Sequence, residues 1–443
     1  MGMLVGAVGA LVASTDVRPN IVLLFADDLG YGDLSSYGST VSRTPAIDSL
    51  GRDGIRFTRF YANSPECTPS RTALLTGRYQ QRVGGLECAI GNGNVGRYDE
   101  AVWLRERDEL GLPFSELSIA RRLKDVGYAT GIFGKWHLGY DDAKFGPNGH
   151  GFDEAFVTLG GGTDYVAHTE PDGISYLRHN GEPVEADGYL TDVFADRAIE
   201  WMTKQDGPFF IYLPFTAPHN PYQAPGDGPE PLPWDKGDID TYRAMVEHLD
   251  KRVGDVLRAI DARESDRETI VVFISDNGAV SPGTNLPLRG WKGQLWEGGI
   301  RVPCFIRWPG KVPAGQVSDQ VASNIDVTAT LLAAAGAPAR PERPLDGVDL
   351  TDVFTTEHAP VERTIFFRYK RLEHRRYAVM EGDRKLVIDN GETWLVDLAA
   401  DPSEENNLAA ALPAEVARLR ARLELWQEDV TAPRLHDFHA TTP

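Results

Sequence analysis

The chain has 443 residues, 42% hydrophobic and 25% charged, so it can bury a large core without a disulfide or metal staple. Its 65 acidic residues against 45 basic ones give a formal net charge of −20, which disfavours nonspecific association with a nucleic-acid backbone or an anionic membrane. Cys67, Cys88 and Cys304 are too few for a disulfide framework, and no run approaches the roughly 20 apolar residues that span a bilayer.

Residues 3–13, MLVGAVGALVA, read equally as a trimmed export signal or as a buried first strand. The first reading implies a periplasmic or secreted protein and the second leaves a cytoplasmic one open. Ile21–Phe25 is a continuous apolar run, the mark of a fully buried strand, and it ends at Asp27-Asp28 and a glycine-rich turn. A helix is expected from Ser115, with Leu117, Ala120 and Leu123 on one face, stopping near Gly127 before a strand over Tyr128–Phe133. A helix over Thr191–Met202 leads into a strand over Pro208–Leu213, and Thr241–Ile260 repeats the pattern with Met245, Leu249, Val253 and Val256 at helical spacing. Thr269–Ile274 follows as a strand ending at Ser275-Asp276-Asn277-Gly278.

This alternation predicts an α/β fold, a large mostly parallel central sheet flanked by helices, whose ligands sit beyond the carboxyl ends of the strands. Past Val348, short strands over Arg376–Met380, Lys385–Ile388 and Thr393–Leu398 precede a helix near Pro413 that stripes Val416, Leu419, Leu423, Trp426 and Val430. We therefore expect an N-terminal extension over 1–18, a main domain over 19–355 and a smaller C-terminal α+β subdomain over 356–443. The loosest composition is the Pro/Gly-rich loop 221–233.

Asp27, Asp28, Asp276 and Asn277 follow buried strands and offer hard oxygen ligands suited to Ca²⁺ or Mg²⁺, without the His/Cys spacing of structural zinc. So dense a carboxylate set calls for a cation to offset like-charge repulsion. Cys67-Thr68-Pro69-Ser70-Arg71 is a polar, arginine-flanked run that looks poorly suited to core packing. Lys135, His137, His219 and Lys292 lie in or after strand-end loops; singly, each also reads as a solvated residue. Together, two lysines can clamp the oxygens of a tetrahedral anion while a histidine protonates a departing alkoxide.

These segments, with Thr76-Gly77-Arg78, Gly134–Gly139, His150–Asp153, Ala217-Pro218-His219 and Glu297–Pro303 in the same order, resemble the type I sulfatase family within the alkaline-phosphatase-like superfamily. The resemblance covers most of the chain and implies a sulfuric ester hydrolase. It also implies that Cys67 is oxidised to formylglycine, whose hydrate attacks through one oxygen and collapses through the other. Asp27, Asp28, Asp276 and Asn277, with the side chain at 67, then become Ca²⁺ ligands, with Mg²⁺ the alternative. Arg71 resembles the residue that holds the nucleophile, Lys135 and Lys292 the sulfate clamps, His219 with Lys292 the leaving-group partners, and His137 the partner of the hydrate. A sulfated small molecule or carbohydrate is the implied substrate, and a formylglycine-generating enzyme the implied transient partner.

Two readings compete: a phosphonate monoester or phosphodiester hydrolase with the same equipment, and a nonenzymatic metal-dependent oxyanion-binding protein. Gly160–Tyr165 with His168, and Tyr98–Glu100 with Trp103, Arg105 and Arg107, read as substrate-pocket loops or as ordinary solvated ones. Cys304, in an apolar run, reads as a small core side chain.

Overall fold

The computed structural model describes residues 18–91, 97–229, 237–265, 267–355 and 360–441. The segment 3–13 and part of the loop 221–233 lie outside the described residues. No described helix is long and apolar enough to cross a membrane.

A ten-stranded sheet forms the centre, in the order Gln316–Ser318, Ile55–Phe57, Cys304–Arg307, Thr269–Ser275, Asn20–Ala26, then Phe209–Pro214, Ala129–Lys135, Glu154–Thr158, Leu177–His179 and Glu182–Pro183. The five strands from Thr269–Ser275 through Glu154–Thr158 run parallel, and the short flanking ones are mixed. The apolar runs are continuous because both sheet faces are covered. Ile21, Leu23 and Phe25 enter one core with Phe210, Tyr212, Ile270 and Val272. Val22, Leu24 and Ala26 enter the other with Ile211, Leu213, Val271 and Phe273.

Helices Leu190–Thr203 and Ile239–Asp261 fall where the apolar spacing puts them, the second capped by Asp238, which accepts from the Thr241 N–H at 2.7 Å. The expected helix from Ser115 is shorter, Ile119–Lys124, and Leu117 lies outside it. Ser118 is the reason: its hydroxyl accepts the Arg121 N–H at 3.0 Å and starts the helix there.

The C-terminal sheet has four antiparallel strands, Thr364–Arg371, His374–Glu381, Arg384–Asp389 and Glu392–Asp397. The first was missed, although Ile365, Phe367 and Tyr369 alternate inward. Helix Pro413–Asp429 covers one face through Leu419, Leu423 and Trp426, with Trp426 stacked on Phe366 at 5.2 Å. The other face packs on Tyr61, Cys88, Leu295, Trp296 and Ile300 of the main domain.

That interface also carries buried charge. Lys385 Nζ donates to Glu297 Oε1 and to Glu404 Oε1, both at 2.8 Å, and all three residues are fully buried. Arg376 donates to the Gly293 carbonyl at 2.6 Å, and Arg289 lies 3.7 Å from the Trp296 ring centre and 4.4 Å from that of Trp394. The C-terminal sheet thus grips segment 289–297 directly. Lys385→Met strands two buried carboxylates and is expected to cost about 3–5 kcal/mol, read as a lower denaturant midpoint with unchanged slope.

Candidate active site

The carboxyl ends of the parallel strands converge on one edge, and each strand delivers part of the site there. Asp27 and Asp28 follow Asn20–Ala26, Asp276 and Asn277 follow Thr269–Ser275, Lys135 closes Ala129–Lys135, and His219 follows Phe209–Pro214. Asp28 and His137 both hold left-handed backbone, φ 62° and 53°, a strain that non-glycine residues sustain mostly at functional positions.

Cys67 opens a helix over Cys67–Thr76 in which every residue is buried. The polar run is therefore core after all, because Thr68, Ser70 and the Arg71 Nη atoms find fixed partners, with Arg71 Nε alone among the run's buried side-chain nitrogens left without one. Thr68 donates to the His137 carbonyl at 2.9 Å, and Ser70 accepts from Asn324 Nδ2 at 2.8 Å. Pro69 falls in the first turn, where a missing N–H costs nothing. The four-residue spacing puts Arg71 on the same helix face as Cys67. Arg71 Nη2 donates to Asp276 Oδ2 at 3.0 Å and lies 3.6 Å from Asp27 Oδ1, while Nη1 reaches the Lys135 carbonyl at 3.0 Å.

Cys67 Sγ lies 3.3 Å from Asp27 Oδ1 and 3.3 Å from Lys292 Nζ. Lys135 Nζ sits 2.5 Å from Asp27 Oδ2, and Lys292 Nζ 2.7 Å from Asp28 Oδ1. His219 Nδ1 faces the Asn220 carbonyl at 2.5 Å, which directs Nε2 to Asp28 Oδ2 at 3.6 Å. His137 Nε2 faces the Ile90 carbonyl at 2.5 Å. Cys67, His137, His219 and Lys292 line one cavity of about 920 Å³. The structure brings together all ten residues singled out in the sequence.

The electrostatics differ from expectation in one respect. Three carboxylates, Asp27, Asp28 and Asp276, are already countered by Lys135, Lys292 and Arg71, so charge balance alone does not demand a cation. Burial raises the Asp28 carboxyl, but Lys292, His219 and Lys135 outweigh it and hold it below the usual carboxylate range. Asp276 is pushed up to about 7 by burial and by Asp27, against Arg71. Burial, with Asp27 and Asp276, pushes the Cys67 thiol well up, so an unmodified Cys67 is protonated and a weak nucleophile. Burial drives the His219 imidazole down to about 3 although Asp28 opposes it.

The donor set nonetheless fits a cation. Ligand atoms of Asp27, Asp28, Cys67 and His219 lie within 4.8 Å of one another, forming a candidate metal-coordinating cluster. Asn277 Nδ2 donates to Asp28 Oδ1 at 2.7 Å, while its Oδ1 is buried with no partner among the described residues. An orphaned amide oxygen beside carboxylates is a group that a hard cation would satisfy.

Of the two loops considered as pocket walls, only one contributes. Gly161 and Gly162 line the cavity, whereas His168 turns to the Gly188 carbonyl at 2.9 Å. In the other, Glu100 pairs with Lys370 at 2.6 Å and Arg107 covers the Trp103 ring, away from the cavity lining. Cys304 is fully buried on its strand. Sequence reasoning missed Glu66, Tyr140, Glu170 and Arg371, which also line the cavity. Glu66 precedes the motif cysteine and pairs with Arg371 of the C-terminal sheet.

Burial pushes the Glu170 carboxyl from 4.5 up to about 7; the Tyr140 hydrogen bond opposes the rise, Asp172 adds to it and Lys135 opposes it. The folded protein therefore keeps a proton that the unfolded chain has lost. This group's contribution to stability is full below pH 4.5 and lost as pH rises through about 7. Glu170→Gln should consequently gain about 3 kcal/mol relative to the wild type between pH 4.5 and pH 8, measured as denaturant midpoints at the two pH values.

The sulfatase family model matches residues 19–337, and the model of the N-sulphoglucosamine sulphohydrolase C-terminal region matches residues 290–429. The chain is 33% identical to steryl-sulfatase of Mus musculus, covering 79% of this chain and 67% of that one. It is 34% identical to N-acetylgalactosamine-6-sulfatase of Homo sapiens, covering 79% and 68%. It is also similar to the crystal structure of Ps i-CgsB in complex with k-i-k-neocarrahexaose, with a TM-score of 0.82, 30% identity and 94% of each chain covered.

Proposed function

The chain belongs to the formylglycine-dependent sulfatase family and is a sulfuric ester hydrolase; from that premise we propose that it hydrolyses a sulfate monoester of a carbohydrate, using formylglycine at position 67 and a bound Ca²⁺. The observation that carries this reading is the position of Cys67 Sγ, 3.3 Å from both an aspartate and a lysine, on the wall of a cavity roomy enough for a sugar. The suppressed acidity of the thiol argues against an unconverted Cys67 as the nucleophile, since a protonated cysteine attacks weakly.

Asp27, Asp28, Asp276 and Asn277, with the side chain at 67, would hold the cation; calcium is preferred to magnesium because the set is all oxygen and supplied largely by protein. When bound, the cation supplies Lewis-acid polarisation of a sulfate oxygen and acidifies the nucleophile. The formylglycine hydrate supplies one oxygen for attack and a second for collapse.

The chain's own residues do the rest. Arg71 fixes the orientation of residue 67 from one helical turn away. Lys135 and Lys292 neutralise the sulfate's peripheral oxygens as charge shifts toward the leaving oxygen. Lys292 Nζ and His219 Nε2 face that oxygen; because the imidazole is neutral with its Nδ1–H on the Asn220 carbonyl, the Lys292 ammonium supplies the proton delivered there. His137 holds a hydrogen bond to the hydrate and assists its collapse. A formylglycine-generating enzyme acts on the segment around Cys67 before it is buried.

The carbohydrate reading is supported by Glu170 at the cavity wall, whose carboxyl has no ion-pair partner among the described residues and which an apolar leaving group would desolvate while offering it no donor. Turnover of a matched panel of monosulfated sugars, aryl sulfates and phosphonate monoesters, on protein whose conversion at 67 is established by peptide mass analysis, tests it. Sugar sulfates should give the highest kcat/KM among substrates with unactivated leaving groups. Preference for phosphonates would overturn the reading.

A further inference from the structure

Glu170 is 8% exposed and lines the cavity with no ion-pair partner among the described residues. Among the described residues its one side-chain donor is the Tyr140 hydroxyl, 3.2 Å from Oε2 and 3.4 Å from Oε1, joined by the Gly162 backbone N–H, which leaves acceptor positions on the carboxylate unfilled. The surroundings are built to bring it there. A Cβ on Gly160 would stand 1.1 Å from Glu170 Oε1, so only glycine admits the carboxylate at this point. The turn through Gly160–Gly162 follows strand Glu154–Thr158 on the same sheet edge that supplies the metal ligands. On its other side, a Cβ on Gly161 would come within 2.6 Å of His137 Nε2. Glu170 is thus one loop's thickness from a residue at the reacting end. Its own segment is closed by a turn, with Gly173 N–H donating to the Glu170 carbonyl at 2.8 Å. Tyr140 is held in turn by an edge contact with Tyr176 at 5.2 Å.

A buried carboxylate with spare acceptor capacity pays a desolvation cost that a donor on the ligand can recover. A sulfate ester would meet repulsion there. A sterol or an unsubstituted aryl group would offer it no donor, and a sugar ring offers several hydroxyls in fixed directions. We propose that Glu170 is a specificity-determining residue that accepts a hydrogen bond from a ring hydroxyl of a sulfated sugar, with Tyr140 as the positioning residue that orients its carboxylate. The assignment rests on the carbohydrate reading above and names the group that enforces it. It also explains why the Gly160 turn contributes backbone to the cavity wall, with no side chain in the way.

The test compares wild type, Glu170→Ala, Glu170→Gln and Tyr140→Phe, each fully converted at position 67, on monosulfated hexoses and on 4-nitrophenyl sulfate. The readout is the ratio of kcat/KM for the best hexose sulfate to that for the aryl sulfate. Assayed at pH 8, above the range in which the folded protein keeps a proton on Glu170, loss of a hydrogen bond to a charged acceptor should lower this ratio roughly 10- to 150-fold in Glu170→Ala. Glu170→Gln, which keeps an acceptor oxygen, should lose less, and Tyr140→Phe less again. The loss should appear chiefly in KM. Should Glu170→Ala fail to fold, inhibition of aryl-sulfate turnover by the desulfated hexose gives the same comparison between wild type and Glu170→Gln, weaker inhibition of the variant being the expected result. A parallel fall on both substrates, or an unchanged ratio, overturns the assignment and leaves the carbohydrate reading standing. Wild-type protein that cleaves the aryl ester and no sulfated sugar sinks both.

Discussion

Cys67→Ala is expected to lower sulfate-ester turnover by at least about 10⁴-fold, the scale seen when a covalent nucleophile is removed. The fold should survive, because the substitution deletes one buried sulfur from a helix whose anchors, Thr68, Ser70 and Arg71, reach other partners. Cys67→Ser sharpens the point. A serine supplies an oxygen at nearly the same place but no second hydroxyl, so any sulfate it accepts stays bound, and at most a single burst without steady turnover follows. In the unmutated protein, kcat should scale linearly with the fraction of residue 67 converted to formylglycine, measured by peptide mass analysis. A Cys67→Ala protein with full turnover would remove the nucleophile from the mechanism.

The second large effect concerns the cation. Exhaustive chelation should abolish turnover, with Ca²⁺ restoring it more fully than Mg²⁺. Asp28→Asn should weaken calcium binding by at least about 100-fold, since losing even a supporting partner of a metal site costs 10- to 100-fold. Asp28 is the informative position because it also touches Lys292, His219 and Asn277. Asparagine keeps its shape while leaving the Lys292 ammonium short of a counter-charge. Calorimetric titration with calcium reads the affinity independently of turnover. Wild-type affinity in Asp28→Asn would reject the residue as a ligand.

The central strands were legible because each is an unbroken apolar run that stops at a polar pair, and burial on both faces leaves no other place for such runs. The same logic exposed the site: Asp27-Asp28, Lys135 and Asp276-Asn277 all stand where a strand gives out. The helix at Cys67 was hidden for the opposite reason. Its polar residues look solvated in a local window, and only bonds to Lys135, His137 and Asn324 make them interior. The same holds for Glu170, whose place beside Tyr140 depends on a contact thirty positions away and on a glycine that no periodicity marks. The strand Thr364–Arg371 was legible in principle, since its inward residues alternate; its arginines and lysine masked that period.

Segment 289–297 has a consequence for anyone recombining this chain with a relative. It carries Lys292 into the site yet is gripped by Arg376 and, through Glu297, by Lys385. A chimera cut just before strand Thr364–Arg371 would join a foreign small sheet to a native lysine loop and mismatch both. The workable seam lies upstream of Arg289, so that the loop travels with the sheet that holds it. In this molecule the unit of inheritance for the lysine is the C-terminal piece.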